Sequence, residues 1–271
     1  MKTIISIVLA VALSAVQAFA GSIGDSVEVR IISDNGREAP FYPVSARYPA
    51  KKVYAEAVKG DHYKISVRNK LGRRVGVVIA VDGRNIVSGQ KSWLKNRERM
   101  YILEPYATYE YAGWRTGQDQ INRFYFTEVP DSYAAAFGDH SAMGVIAVAV
   151  YPEVQRYEPP PQMQSQESGV FGRSDRRKSA APSPGSEAAA PSAKAEAADR
   201  SAGTGYGRSE YSPSHTVAFD PESRSVENIF IKYEWRSTLC RMGIVSCGKQ
   251  YHRQGNRLWD NGGYAPPPPG R

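Results

Sequence analysis

From Val27 to Tyr151 apolar and polar residues alternate along the chain, the pattern of strands that bury one face and wet the other. Tyr63, Ile65 and Val67 alternate with Lys64, Ser66 and Arg68. Val75, Val77, Ile79 and Val81 make the next inward row, and Val78 and Ala80 on the opposite face mark that strand as central. Further strands are expected over Val27–Ile32, Val53–Val58, Tyr101–Leu103, Thr108–Trp114, Ile121–Thr127 and Met143–Tyr151. Turn-forming residues separate them: Lys59-Gly60-Asp61, Asn69-Lys70-Leu71-Gly72, Asp82-Gly83-Arg84-Asn85, Glu104-Pro105 and Val129-Pro130-Asp131. Only Ser132–Phe137 has a helical period. About eight short strands, with connections too short for crossover helices, predict an all-β fold, an antiparallel β-sandwich over residues 21–152.

At Glu153 the pattern stops. Residues 153–212 contain no Ile, Leu or Trp and are rich in Pro, Ser, Ala and Gly, so they bury too little apolar area to offset the entropy of ordering them. A disordered linker is expected there, a long insertion before the C-terminal strands. A basic run, Arg173 to Lys178, lies inside it and reads as a solvated cluster or an electrostatic tether. Alternation returns at Val217 and Phe219, then in Ile229, Ile231, Tyr233 and Trp235. Two strands are too few to stand alone, so residues 213–271 are expected to complete the first sheet by closing an exposed edge.

The first twenty residues carry an address. Lys2, the apolar run Ile4–Val16 and the small-residue pattern Ala18-Phe19-Ala20 form a secretory signal peptide, cleaved after Ala20. That run is shorter than the ~20 residues needed to cross a bilayer, and no later segment is longer, so no transmembrane segment is expected. The localisation read from this is secreted, periplasmic or cell-surface. Export agrees with the cysteine count: Cys240 and Cys247 are the only two, and an oxidising compartment favours a disulfide between them. The net charge of +8 is spread thinly, and an exported chain meets no chromosome, so nucleic acid is set aside in favour of anionic envelope polymers.

Candidate chemistry is sparse. Asp139-His140-Ser141 has the letters of a hydrolase triad, but adjacent residues cannot converge as a triad must, so a loop is read there. Asp82-Gly83-Arg84-Asn85 reads as a hairpin turn rather than a calcium loop. Asp82, Glu104, Glu110 and Glu128 lie near strand ends, yet no pair of them is identifiable as a glycosidase dyad. No catalytic residue, metal ligand or cofactor is assigned. Aromatic density is the conspicuous feature: Tyr101, Tyr106, Tyr109, Tyr111 and Trp114 crowd together, with Trp93 upstream and Tyr125 downstream. In a strand Tyr109 and Tyr111 share one face and Trp114 the other, so Trp114 is expected in the core and the Tyr109/Tyr111 face, with Arg115, is the candidate ligand platform. Lys91, Lys95, Arg97 and Arg99 make this neighbourhood cationic. A second candidate is the proline-rich tail, residues 264–271, whose Pro266–Pro269 run favours a polyproline II strand that docks on a protein partner.

Several stretches resemble a family of uncharacterised, secreted, β-rich bacterial proteins. They are Tyr63–Asn69, Val81-Asp82-Gly83-Arg84-Asn85-Ile86-Val87-Ser88-Gly89, Gly113-Trp114-Arg115, Arg123-Phe124-Tyr125-Phe126 and Gly144–Val150. The resemblance implies a bacterial source and transfers no activity, ligand or catalytic residue. The function expected is that of an exported, non-catalytic binding or structural protein of the cell envelope, contacting a glycan or a protein through the aromatic face or the tail. The alternative is a carbohydrate-active enzyme or glycan-binding accessory protein.

Overall fold

The computed structural model describes residues 21–155 and 201–247. In chain order the strands are β1 (Val27–Ser33), β2 (Phe41–Val44), β3 (Ala50–Ala57), β4 (His62–Asn69), β5 (Val75–Val81), β6 (Arg84–Asn85), β7 (Tyr101–Leu103), β8 (Thr108–Tyr111), β9 (Gly113–Arg115), β10 (Gln120–Glu128), β11 (Val145–Pro152), β12 (Ala202–Thr204), β13 (Ser209–Tyr211) and β14 (Glu227–Trp235). A short helix, α1 (Arg236–Arg241), follows β14. The signal pattern, the basic run Arg173–Lys178 and the proline-rich tail all lie outside the described residues.

The strands form two seven-stranded sheets packed as an all-β sandwich. One runs β1-β4-β10-β12, with β8 beside β4 and with β9 and β13 beside β10. The other runs β2-β3-β14-β11-β5-β6, with β7 beside β5. Their inner rows make one core: Val27, Val29 and Ile31 of β1 and Tyr63, Ile65 and Val67 of β4 join Val75, Val77, Ile79 and Val81 of β5 and Ile146, Val148 and Val150 of β11. Each such side chain contributes roughly 1.5–3 kcal/mol by leaving water, which is why the alternating pattern specifies which face turns inward. Strand β5 is central as expected. All seven of its residues are buried, because Leu94 and Met100 cover Val78, Ala149 and Tyr151 on the outer face of this sheet.

Three expectations need correction. Order returns well before residue 213: β12 and β13 lie inside the stretch read as linker and both pair with β10. Their backbone hydrogen bonds do not depend on apolar side chains, so composition concealed them. The C-terminal strand does not close an edge either. β14 lies between β3 and β11, antiparallel to β11 and parallel to β3, and so contributes Ile229, Ile231 and Tyr233 to the middle of the core. The parallel pair is possible because the chain between β3 and β14 is long enough to cross over, whereas the neighbouring connections are not. Finally, Val217 and Phe219 are not in a strand; Phe219 packs against Gly76, where a Cβ would stand 2.8 Å from its ring.

Smaller differences follow the same logic. Ser132–Phe137 yields only a 3-10 turn at Ala135–Phe137, after another at Val129–Asp131. Cys240 and Cys247 form the expected disulfide, Cα atoms 5.2 Å apart, beside the buried Leu239 and Val245. Glu227, buried at the start of β14, accepts hydrogen bonds from the backbone N–H groups of Asp25 and Ser26 at 2.8 Å each and of Val27 at 3.4 Å. It thereby ties the entry of β1 to a strand some two hundred residues later.

Candidate functional site

The expected platform is not assembled as such. Strand β8 pairs with β4 in a register that sets Tyr111 opposite Ile65 and Tyr109 opposite Val67, so the tyrosine row faces inward with those core residues. Tyr111 is buried, stacked on Tyr101 with ring centroids 4.2 Å apart, and burial pushes its hydroxyl well above the ordinary tyrosine range. Tyr109 is half exposed at the strand end. Trp114 is in the core as expected, because the chain breaks register at Ala112: β8 stays on β4 while β9 moves onto β10. Arg115 is engaged within the fold, its Nε donating to the Tyr101 hydroxyl at 3.1 Å and its Nη1 to the Ser212 carbonyl at 2.5 Å. Of the three residues only Tyr109 is exposed, so they do not form one open face.

Exposed aromatic rings collect elsewhere, around the turn after β5. Asp82 and Gly83 both have positive φ, 50° and 79°, and Val81 pairs with Arg84, so the hairpin turn expected there is a two-residue one with the φ signs of type I′. The Asp82 side chain turns inward and is fully buried. Its carboxylate accepts from the N–H of Gly144 at 2.7 Å, the N–H of Thr204 at 2.7 Å and the Tyr233 hydroxyl at 2.5 Å. Each hydroxyl has one hydrogen, so the remaining bonds are directed: Thr204 donates to Tyr233 at 2.7 Å and Tyr63 donates to Thr204 at 2.8 Å. Burial raises the Asp82 carboxyl to about 6, and the bonds from Tyr233, Thr204 and Gly144 hold it from rising further.

On this base the loop 85–99 is held by two polar side chains. Asn85 accepts from the N–H of Val87 at 2.8 Å and of Ser88 at 3.1 Å. Glu98 accepts from the Ser92 hydroxyl at 2.7 Å and the N–H groups of Trp93 at 2.8 Å and Lys95 at 2.9 Å. Burial by itself would raise Glu98; these donors outweigh it and hold the carboxyl below its usual range. Trp93 projects from the loop, 70% exposed, with Lys91 Nζ 5.5 Å from its ring.

Lys91 connects this loop to the next one. Its Nζ is 3.6 Å from Asp139, whose carboxylate also accepts from the Ser141 N–H and, at 2.6 Å, the Ser141 hydroxyl. Burial pushes Asp139 up, but the Ser141 bonds and the cations Lys91 and Arg84 outweigh it, and the net shift is downward. Asp139-His140-Ser141 is thus a local turn, with His140 exposed. The Arg84 guanidinium lies 4.0 Å over the Phe137 ring. Phe137 meets Tyr133 edge-on at 5.0 Å, and Tyr133 stacks on Tyr206 at 5.3 Å. Phe137 is 58% and Tyr206 45% exposed. The result is a continuous surface of Trp93, Lys91, Arg84, Phe137, Tyr133 and Tyr206.

Tyr206 arrives from far along the chain. The arm 201–214 crosses β9 and β10, pinned by Thr204 on Asp82, by Trp114 Nε1 donating to the Gly205 carbonyl at 3.0 Å and by Asn122 Nδ2 donating to the Gly207 carbonyl at 2.7 Å. Gly205 is required there, since a Cβ would lie 2.2 Å from the Tyr125 ring. Sequence reasoning noted Trp93 and Lys91 but missed Tyr133, Phe137 and Tyr206. The one signal available was the spacing Gly203, Gly205, Gly207, a strand-like repeat of residues without side chains around Thr204 and Tyr206.

Comparison with known proteins finds no family model, no curated protein and no solved structure that matches this chain. Among the described residues no three His, Cys, Asp or Glu side chains group as a metal site, and no helix is long and apolar enough to cross a membrane.

Proposed function

We propose that this is an exported, non-catalytic binding protein of the bacterial cell envelope that holds an envelope glycan on the surface formed by Trp93, Phe137 and Tyr206. One observation carries the reading: these rings are 70%, 58% and 45% exposed, yet the segments bearing them are tied down, the Trp93 loop by N–H groups donating to Asn85 and Glu98, the turn after Phe137 by Ser141 donating to Asp139, and the Tyr206 arm by Trp114 and Asn122 donating to the Gly205 and Gly207 carbonyls. Exposed rings on a rigid frame stack on sugar rings with little ordering cost, and large exposed apolar groups on a folded surface mark contact sites. The secretion pattern at the N-terminus and the Cys240–Cys247 disulfide support an oxidising compartment outside the cytoplasm.

The test is capture of residues 21–271 on purified envelope glycans at low salt and at 1 M salt, where screening contracts to about 3 Å and bare charge attraction fades. Capture is expected to persist in salt and to fall at least tenfold in Trp93→Ala and Phe137→Ala. Capture indifferent to both substitutions would sink the proposal. Retention of a protein instead, lost on deleting residues 264–271, would move the function to the proline-rich tail.

A further inference from the structure

Resting on the glycan reading above, the geometry points to an acidic saccharide as the ligand: a sugar ring against Trp93 or Phe137 with its anionic substituent between Lys91 and Arg84. Arg84 and Lys91 are direct partners in an antiparallel bridge, so two cations stand opposite one another. Like charges placed this way destabilise a sheet, and a fold keeps such a pair where something else neutralises it. Asp139, one negative charge against two positive ones, offsets only part of this, through Lys91 at 3.6 Å and through the field of the nearby Arg84. Arg84 spends its Nη1 on the Gly89 carbonyl at 2.6 Å and makes no ion pair among the described residues. Its Nε is buried with no hydrogen-bond partner there.

The surrounding loop adds to the imbalance. Lys95, Arg97 and Arg99 are exposed and form no ion pair among the described residues. The only carboxylate in the loop, Glu98, is turned inward onto Ser92, Trp93 and Lys95 and holds the backbone instead of screening these cations. Elsewhere on the sandwich some cations are matched, Lys59 with Glu128, Lys64 with Glu110, Arg74 with Glu153 and Arg236 with Glu56, while others, Arg37, Arg47 and Arg68 among them, form no ion pair among the described residues. What sets this region apart is that four cations without an ion pair, Arg84, Lys95, Arg97 and Arg99, share one short turn and loop with the exposed ring of Trp93. Charge and ring face together select a ligand that carries both an anion and an apolar sugar face.

The experiment measures binding of the mature chain to polygalacturonate, dextran sulfate, neutral dextran and inorganic polyphosphate at the same ionic strength. The acidic polysaccharides are expected to bind at least tenfold more tightly than dextran, and their ratio to each other tells a carboxylate from a sulfate ester. Lys91→Gln and Trp93→Ala should each weaken that binding at least fivefold. The Lys91 side chain is 46% exposed, so its loss leaves the fold intact, which an unchanged melting temperature verifies. Equal affinity for neutral dextran overturns the acidic ligand while leaving the glycan reading standing. Polyphosphate bound as well as the polysaccharides, with Trp93→Ala silent, reduces the surface to bare charge attraction and also overturns it. Failure of every polysaccharide brings down the glycan reading itself.

Discussion

Tyr233 of β14 donates its phenol hydrogen to the carboxylate of Asp82, 2.5 Å away, in the sealed space between the two sheets. The pair joins the hairpin after β5 to a strand 151 residues further on, and Thr204 of the crossing arm hydrogen-bonds to both partners. The same contact thus supports the turn that presents Arg84 and the arm that presents Tyr206.

Tyr233→Phe removes the donor and leaves Asp82 and Thr204 each one partner short in a buried site. A loss of about 1–3 kcal/mol is expected from the unsatisfied groups. Urea unfolding at pH 7 measures it, and a loss below about 0.5 kcal/mol, the size of an ordinary surface change, would show that the network contributes nothing.

Asp82 predicts the sign of a pH effect. Its folded value of about 6 is above the ordinary 3.8, so the folded state binds the proton more tightly than the unfolded one. The stability this supplies is complete below the unfolded value and is lost as pH rises through the folded one. Roughly 3 kcal/mol is expected to disappear between about pH 4 and pH 7 at this one group. Urea titrations across that range should show a steeper decline for the native chain than for Asp82→Asn. Parallel slopes would assign the effect to other carboxyl groups.

The position of β14 makes the first segment dependent on the last. Residues 21–155 alone leave β3 without its parallel ladder from Ala50 to Ala57 and β11 without its ladder from Val145 to Val150, and Ile229, Ile231 and Tyr233 are missing from the core. That fragment is expected to show no cooperative thermal transition by near-ultraviolet circular dichroism. A sharp transition from it would mean that the sheet can close without β14.

Tyr111 separates a core role from a ligand role. Truncation of this buried, stacked ring in Tyr111→Ala is expected to cost about 3 kcal/mol of stability while the surviving folded protein captures glycan normally. Loss of capture at full stability would instead restore the Tyr109/Tyr111 face as the contact surface.

Local pattern was enough for the all-β class, the positions of β1, β4, β5, β10 and β11, the Asp82-Gly83 hairpin and the Cys240–Cys247 disulfide. Each depends on neighbours within a few residues: alternation sets which face is buried, and an Asp-Gly pair tolerates the positive φ of a tight turn. The tertiary structure alone decided that β14 lies between β3 and β11, that Tyr111 turns inward along with Trp114, and that β12 and β13 pair with β10. It also carried Tyr206 to Tyr133 and left Arg84 and Lys91 facing one another. Backbone hydrogen bonds are the same for every residue, so alternation records a strand's faces but not its neighbours. A site built from strand neighbours and crossing loops comes into being only when distant segments pack, and no local period in the chain encodes that meeting.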